Sequence, residues 1–186
     1  MRTVVVSLIA ADRPGLVTEL AAVVAEQGGN WLESQMGRLG GTFAGAVLVE
    51  LEDERVEDLS AAVRDLRDVD VVEVTAATTA ATADPGDAPV RVVAIGQDQP
   101  GIVREVTRAL ADRGLGIREF HSSTSDAPMS GERLFEATAV VGAAEDADLT
   151  DLRTALDEVS EQLRLDIQID DGEEDNPAWG EVPELG

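Results

Sequence analysis

From Thr3 to Ala10 the chain runs through apolar, largely β-branched positions, then breaks at Asp12-Arg13-Pro14-Gly15 and resumes with Leu16, Leu20, Val23 and Val24 at helical spacing. The change of period predicts a buried strand turning directly into a helix over 15–27, with Pro14 suited to its first turn and Gly28-Gly29 to its end. Asn30 to Leu39 then alternates, with Trp31, Glu33 and Gln35 on one side and Leu32, Ser34 and Met36 on the other. Gly40-Gly41 leads into a second extended run, Thr42 to Leu51, which predicts a hairpin. Val56, Leu59, Val63 and Leu66 mark a second amphipathic helix, and Val69 to Thr75 a closing strand. The order is βαββαβ.

From Ala76 to Pro89 no large apolar residue occurs, and alanine, threonine, aspartate, proline and glycine mark a linker. The same order then restarts: a strand at Val90–Ile95, a helix at Gly101–Arg113, a hairpin from Leu115–Ser125 and Arg133–Val141, a helix at Leu149–Leu163 and a strand at Leu165–Ile169. These boundaries predict a first domain over 1–76, a linker over 77–88, a second domain over 89–170 and a tail over 171–186. From Asp170 onward the chain has seven acids and no base, a composition that favours disorder.

The restart is a repeat. Asp12-Arg13-Pro14-Gly15-Leu16-Val17 returns as Asp98-Gln99-Pro100-Gly101-Ile102-Val103, and Val6, Ile9, Glu19, Ala25, Gly28 and Glu33 meet the same residue types at Val92, Ile95, Glu105, Ala111, Gly114 and Glu119. Gly28 and Gly114 read as helix-ending glycines. The predicted class is α+β: two ferredoxin-like βαββαβ units, each an antiparallel sheet with two helices on one face. The other sheet face then needs a cover, and units this small gain stability by association, so a homodimer is expected.

Composition narrows the chemistry. A formal charge of −24, with 38 acids against 14 bases that are all arginine, repels phosphate backbones, and the arginines are scattered without interleaved aromatics. Direct nucleic-acid binding is not expected. With no cysteine and one histidine, the usual thiolate and multi-histidine metal sites are excluded, and no metal or other cofactor is expected. The first residues lack the parts of a secretory signal, and no apolar run is long enough to span a membrane, so a cytoplasmic location without membrane contact is expected.

These stretches resemble the ACT domain family of small-molecule regulatory modules, and more narrowly its two-domain, glycine cleavage repressor-like branch, across about residues 2–170. The resemblance is carried by the two Asp-x-Pro-Gly loops, Gly28-Gly29-Asn30-Trp31-Leu32, Leu39-Gly40-Gly41-Thr42-Phe43-Ala44-Gly45, Ala127-Pro128-Met129-Ser130-Gly131 and Leu134-Phe135-Glu136-Ala137. It implies a non-enzymatic regulator that binds a small amino acid or related metabolite where the first strand-to-helix loop faces a neighbouring domain. It also implies control of transcription through a protein partner. By resemblance, the ligand contacts fall on Asp12, Pro14, Gly15, Leu16, Asn30 and Trp31. In the second unit they fall on Asp98, Pro100, Gly101 and Ile102, with Gly116 and Ile117 at the strand start. Asn30 aligns with Gly116, so the second unit lacks that side-chain amide.

The residues suit a zwitterion. A helix starting near Gly15 leaves its first N–H groups unpaired at the positive end of the helix dipole, where a carboxylate is stabilised, and glycine permits close approach. Asp12 can accept from an ammonium, and Asn30 offers donors and an acceptor. The same residue types also serve any strand-to-helix turn, and Trp31 and Phe43 fit core or interface packing at least as well as a ligand platform. His121 beside Ser122 does not predict a hydrolase, because neighbouring strand residues point to opposite faces. Two rival readings remain open: an interaction module with purely structural loops, and an accessory subunit of a metabolic enzyme.

Overall fold

The computed structural model describes residues 1–77, 87–127, 131–144 and 149–170, in two compact units, Met1–Ala80 and Ala81–Gly186. The first unit contains β1 (Arg2–Ala11), α1 (Leu16–Glu26), β2 (Asn30–Leu39), β3 (Thr42–Leu51), α2 (Val56–Arg64) and β4 (Val69–Ala76). The second contains β5 (Asp87–Gln97), α3 (Ile102–Ala111), β6 (Ile117–Asp126), β7 (Arg133–Ala144), α4 (Thr150–Leu163) and β8 (Leu165–Asp170). The sheets are antiparallel, ordered β2-β3-β1-β4 and β6-β7-β5-β8. This is the expected ferredoxin-like arrangement, twice.

One face of each sheet is buried under its helices. In the first unit Val4, Val6, Leu8 and Ala10 of β1 and Val47, Val49 and Leu51 of β3 pack against Leu16, Leu20 and Val24 of α1 and Leu59 and Val63 of α2. The second unit repeats the layer with Val90, Val92 and Ala94 beneath Ile102, Val106 and Leu110 of α3 and Leu152 and Leu156 of α4. Burying each such side chain stabilises the fold by about 1.5–3 kcal/mol, which is why the period-two and period-3.6 patterns coincide with these faces.

The repeat extends to backbone irregularities. Both hairpins carry a register shift at matching places, between Trp31 and Glu33 and between Ile117 and Glu119. Both first helices end at a glycine of positive φ, Gly28 at 71° and Gly114 at 70°. The N–H groups of Gly28 and Gly29 return to the carbonyls of Ala25 and Val24, and those of Gly114 and Leu115 to Ala111 and Leu110.

Strand β5 begins inside the stretch that composition marks as linker. Asp87, Ala88 and Pro89 pair with Ala144, Ala143 and Gly142 of β7. Proline fits there because, among the described residues, β8 pairs with β5 only from Arg91 onward and asks for no N–H from residue 89. The rest of that linker, residues 78–86, the loop residues 128–130 and the acidic tail from 171 lie outside the described residues.

Candidate ligand-binding corners

The corner between β1 and α1 is built by Gly15, which takes the left-handed conformation at φ 87°, ψ −5°, and Gly101 does the same between β5 and α3 at φ 103°, ψ −12°. A side chain would strain this backbone, although a Cβ at either position meets nothing within 4 Å. Both corners therefore face open space. Neither helix has a side-chain cap. At the first corner Leu16 N–H donates to the Arg13 carbonyl at 3.5 Å and Glu19 N–H to the Gly15 carbonyl at 2.9 Å; at the second, Glu105 N–H donates to the Gly101 carbonyl at 3.0 Å.

Pro14, Pro100 and Asp98 are exposed at these corners. Leu16 and Ile102 are not ligand-facing by side chain, since both are buried in the cores. What these helix starts can offer a ligand is backbone N–H, with that of Leu16 already turned to the Arg13 carbonyl at 3.5 Å.

Asp12 is held by a group that sequence reasoning left out. Arg38, near the end of β2, places Nη2 2.6 Å from Asp12 Oδ2. The sheet register explains the encounter, because Ala11 pairs with Thr42 and Thr42 with Leu39, so the β2–β3 hairpin end sits beside the corner. The Arg38 side chain is 71% exposed, so the pair contributes little to stability, about 0–1 kcal/mol.

Arg13 fixes the corner to the rest of its unit. Its Nη1 and Nη2 donate to the two Glu19 oxygens at 2.8 and 2.5 Å, and Nη2 also reaches the Arg67 carbonyl at 3.2 Å. Nε lies 3.5 Å from Asp68 Oδ2, close enough for charge attraction but without a hydrogen bond. The hydrogen bond from Arg13 holds the Glu19 carboxyl below the usual carboxylate range against the opposing effect of desolvation. In the second unit Gln99 takes the corresponding place and donates Nε2 to the Leu163 carbonyl at 2.6 Å. In each case the accepting carbonyl precedes a left-handed residue, Asp68 or Arg164, that opens the last strand.

Asn30 and Trp31 do not join the corner of their own unit. Asn30 pairs with Glu50, and Glu50 with Thr3, at the start of β1. Eight strand positions separate Thr3 from Ala11, roughly 26 Å at a rise of 3.3 Å per residue. Asn30 is exposed there, and Trp31 packs against the edge of the core. Gly116 and Ile117 occupy the equivalent end of the second unit, where the Gly116 carbonyl accepts from Gly142 N–H.

His121 pairs across to Thr138 and Ser122 to buried Ala137, so the two point to opposite faces. Among the described residues no cluster of metal-ligating side chains occurs, and no helix is long and apolar enough to cross a membrane.

No curated protein matches the sequence. ACT domain profiles match residues 2–74 and 90–158. Among solved structures, the chain is similar to an unknown protein from Galdieria sulphuraria, with 29% identity and a TM-score of 0.78 over 90% of this chain and 96% of that one. It is similar in fold to a protein provisionally described as a glycine cleavage system transcriptional repressor, with 19% identity and a TM-score of 0.65 over 91% of this chain and 96% of the other. With profile matches over most of both units, the chain belongs to the ACT domain family and carries two of its domains in tandem.

Proposed function

We propose that this is a non-enzymatic regulatory protein that binds a small amino acid at an ACT domain interface and controls a protein partner in the transcriptional regulation of amino-acid metabolism, glycine metabolism foremost. The observation that carries the reading is the open, uncapped helix start at Gly15 beside the Asp12–Arg38 pair. A carboxylate there meets unpaired N–H groups and a guanidinium, while an ammonium meets Asp12. The fold likeness to the repressor supports the transcriptional part of the reading.

The distance between the corner and Asn30 gives the mechanism its form. A ligand small enough to sit at Gly15 reaches an Asn30 only if that asparagine comes from another copy of the chain, since the second unit has Gly116 in its place. Binding then favours whichever arrangement brings both halves of the site together, and it shifts the population only by its difference in affinity between arrangements.

A thermal-shift panel of the free amino acids tests the proposal. A ligand that binds only the folded state adds about 2.7 kcal/mol at a hundred times its Kd, so at least one small amino acid is expected to raise the melting temperature by several degrees at millimolar concentration. Failure of every amino acid to do so would overturn the sensing role.

A further inference from the structure

We propose that the helix-free sheet face of the first unit is the docking surface for a basic, amphipathic segment of the protein partner. The inference rests on the partner named in the proposed function, but not on the identity of the ligand.

The helix-free sheet faces of the two units differ in chemistry. In the first, the central strands β1 and β3 present Val5, Ile9, Ala44, Ala46 and Leu48, paired across the ladder as Val5 with Leu48 and Ile9 with Ala44. All are half-buried except Ile9, which is 41% exposed. In the second unit the matching rows are Arg91 with Val140, Val93 with Thr138 and Ile95 with Glu136. Between the first unit's two apolar rows, Ser7 pairs with Ala46 and is the one polar side chain of the set, uncharged, whereas Arg91 and Glu136 bring charge onto the matching strands of the second. A solvated sheet face reads like the second, and an exposed apolar one marks an interaction site.

Shape and charge specify the occupant. Val5, Glu33, Gln35, Ala46 and Leu48 line a shallow hollow of about 170 Å³, a size that takes one aromatic or branched aliphatic side chain; a 150 Å³ cavity is known to hold benzene. Around this uncharged centre the same face carries Glu33, Glu50 and Glu73 and, among the described residues, no base, by the alternation of the strands. A second copy of this face would set like charges against one another, which disfavours symmetric pairing here. An apolar anchor flanked by arginine or lysine satisfies both the hollow and the rim.

The test uses the full chain and a synthetic amphipathic helix of leucine and arginine, with a leucine–glutamate helix as its control, followed by amide chemical shifts. The basic peptide is expected to move β1 and β3 amides around Val5, Ala46 and Leu48, and the acidic one to move none. Ala46→Arg and the rim reversal Glu33→Lys/Glu73→Lys should each weaken binding about tenfold or more, while Thr138→Arg at the matching place in the second unit should leave it unchanged. Shifts spread over both units would mean attraction to the overall negative charge and would overturn the proposal. So would loss of a dimer in Ala46→Arg by sedimentation, which would assign the face to a second copy. Peptide binding absent while an amino acid still raises the melting temperature would sink the docking face alone, and the reverse result would sink the sensing role alone.

Discussion

The two corners share a backbone and differ in charge. Gly15 and Gly101 adopt the same left-handed conformation, Leu16 and Ile102 are equally buried behind them, and neither helix start is capped. Yet the places of Arg13 and Arg38 are taken by Gln99 and Thr124 in the second unit. Asp12 is paired with Arg38, while among the described residues Asp98 makes no ion pair and its backbone N–H is bonded to the Arg133 carbonyl. Packing and turn geometry account for the scaffold the two corners share, while the polar groups around it differ. In a chain of net charge −24, a guanidinium at the mouth of one corner favours that corner for a carboxylate.

The largest effects should be the same in both units. Leu20→Ala and Leu110→Ala each empty a fully buried position at the centre of a helix face and should each cost about 2–5 kcal/mol in chemical denaturation. A marked inequality would mean that one unit contributes much less to the measured stability. Gly15→Val and Gly101→Val should each cost about 1–2 kcal/mol from left-handed strain, but only the first should also abolish the melting-temperature rise caused by the amino acid. Equal loss of response in both variants would erase the proposed difference between corners.

Arg38→Ala should separate ligand binding from stability at the first corner. Stability should change by no more than about 1 kcal/mol, since the ion pair is exposed. Affinity for the amino acid found in the panel should fall about tenfold by calorimetry, equivalent to about 1.4 kcal/mol, and Thr124→Ala should change neither quantity. The smallest effect concerns acid. Because Arg13 lowers the folded pKa of Glu19, this carboxylate contributes stability above its unfolded value of about 4.3, and that contribution is lost as pH falls through the lower folded value. The difference in melting temperature between the wild type and Glu19→Gln should therefore be constant near neutral pH and shrink below about pH 4. A difference that grew on acidification would reverse the assignment.

Much of the fold could be read from local pattern, because the strands and helices bury one face each and the period reports that face. The Asp-x-Pro-Gly loops and the helix-ending glycines were legible for the same reason, as each residue type answers a local backbone demand. The pairing of Asp12 with Arg38 was not legible, since it depends on the hairpin register and not on spacing along the chain. Nor was the separation of Asn30 from Gly15. They are close in sequence, but α1 carries the chain back along the sheet and leaves them at opposite ends. The start of β5 was hidden because Asp87, Ala88 and Pro89 have weak strand preference and are held by pairing with β7.

Amide chemical shifts in a titration with the amino acid selected by thermal shift report on ligand contact at the β1–α1 corner residue by residue. The N–H signals of Gly15, Leu16 and Val17 should move first and farthest, those of Asn30 and Trp31 should move with them, and those of Gly101 to Val103 should respond less. Saturable binding that leaves Gly15 to Val17 unmoved would contradict that contact.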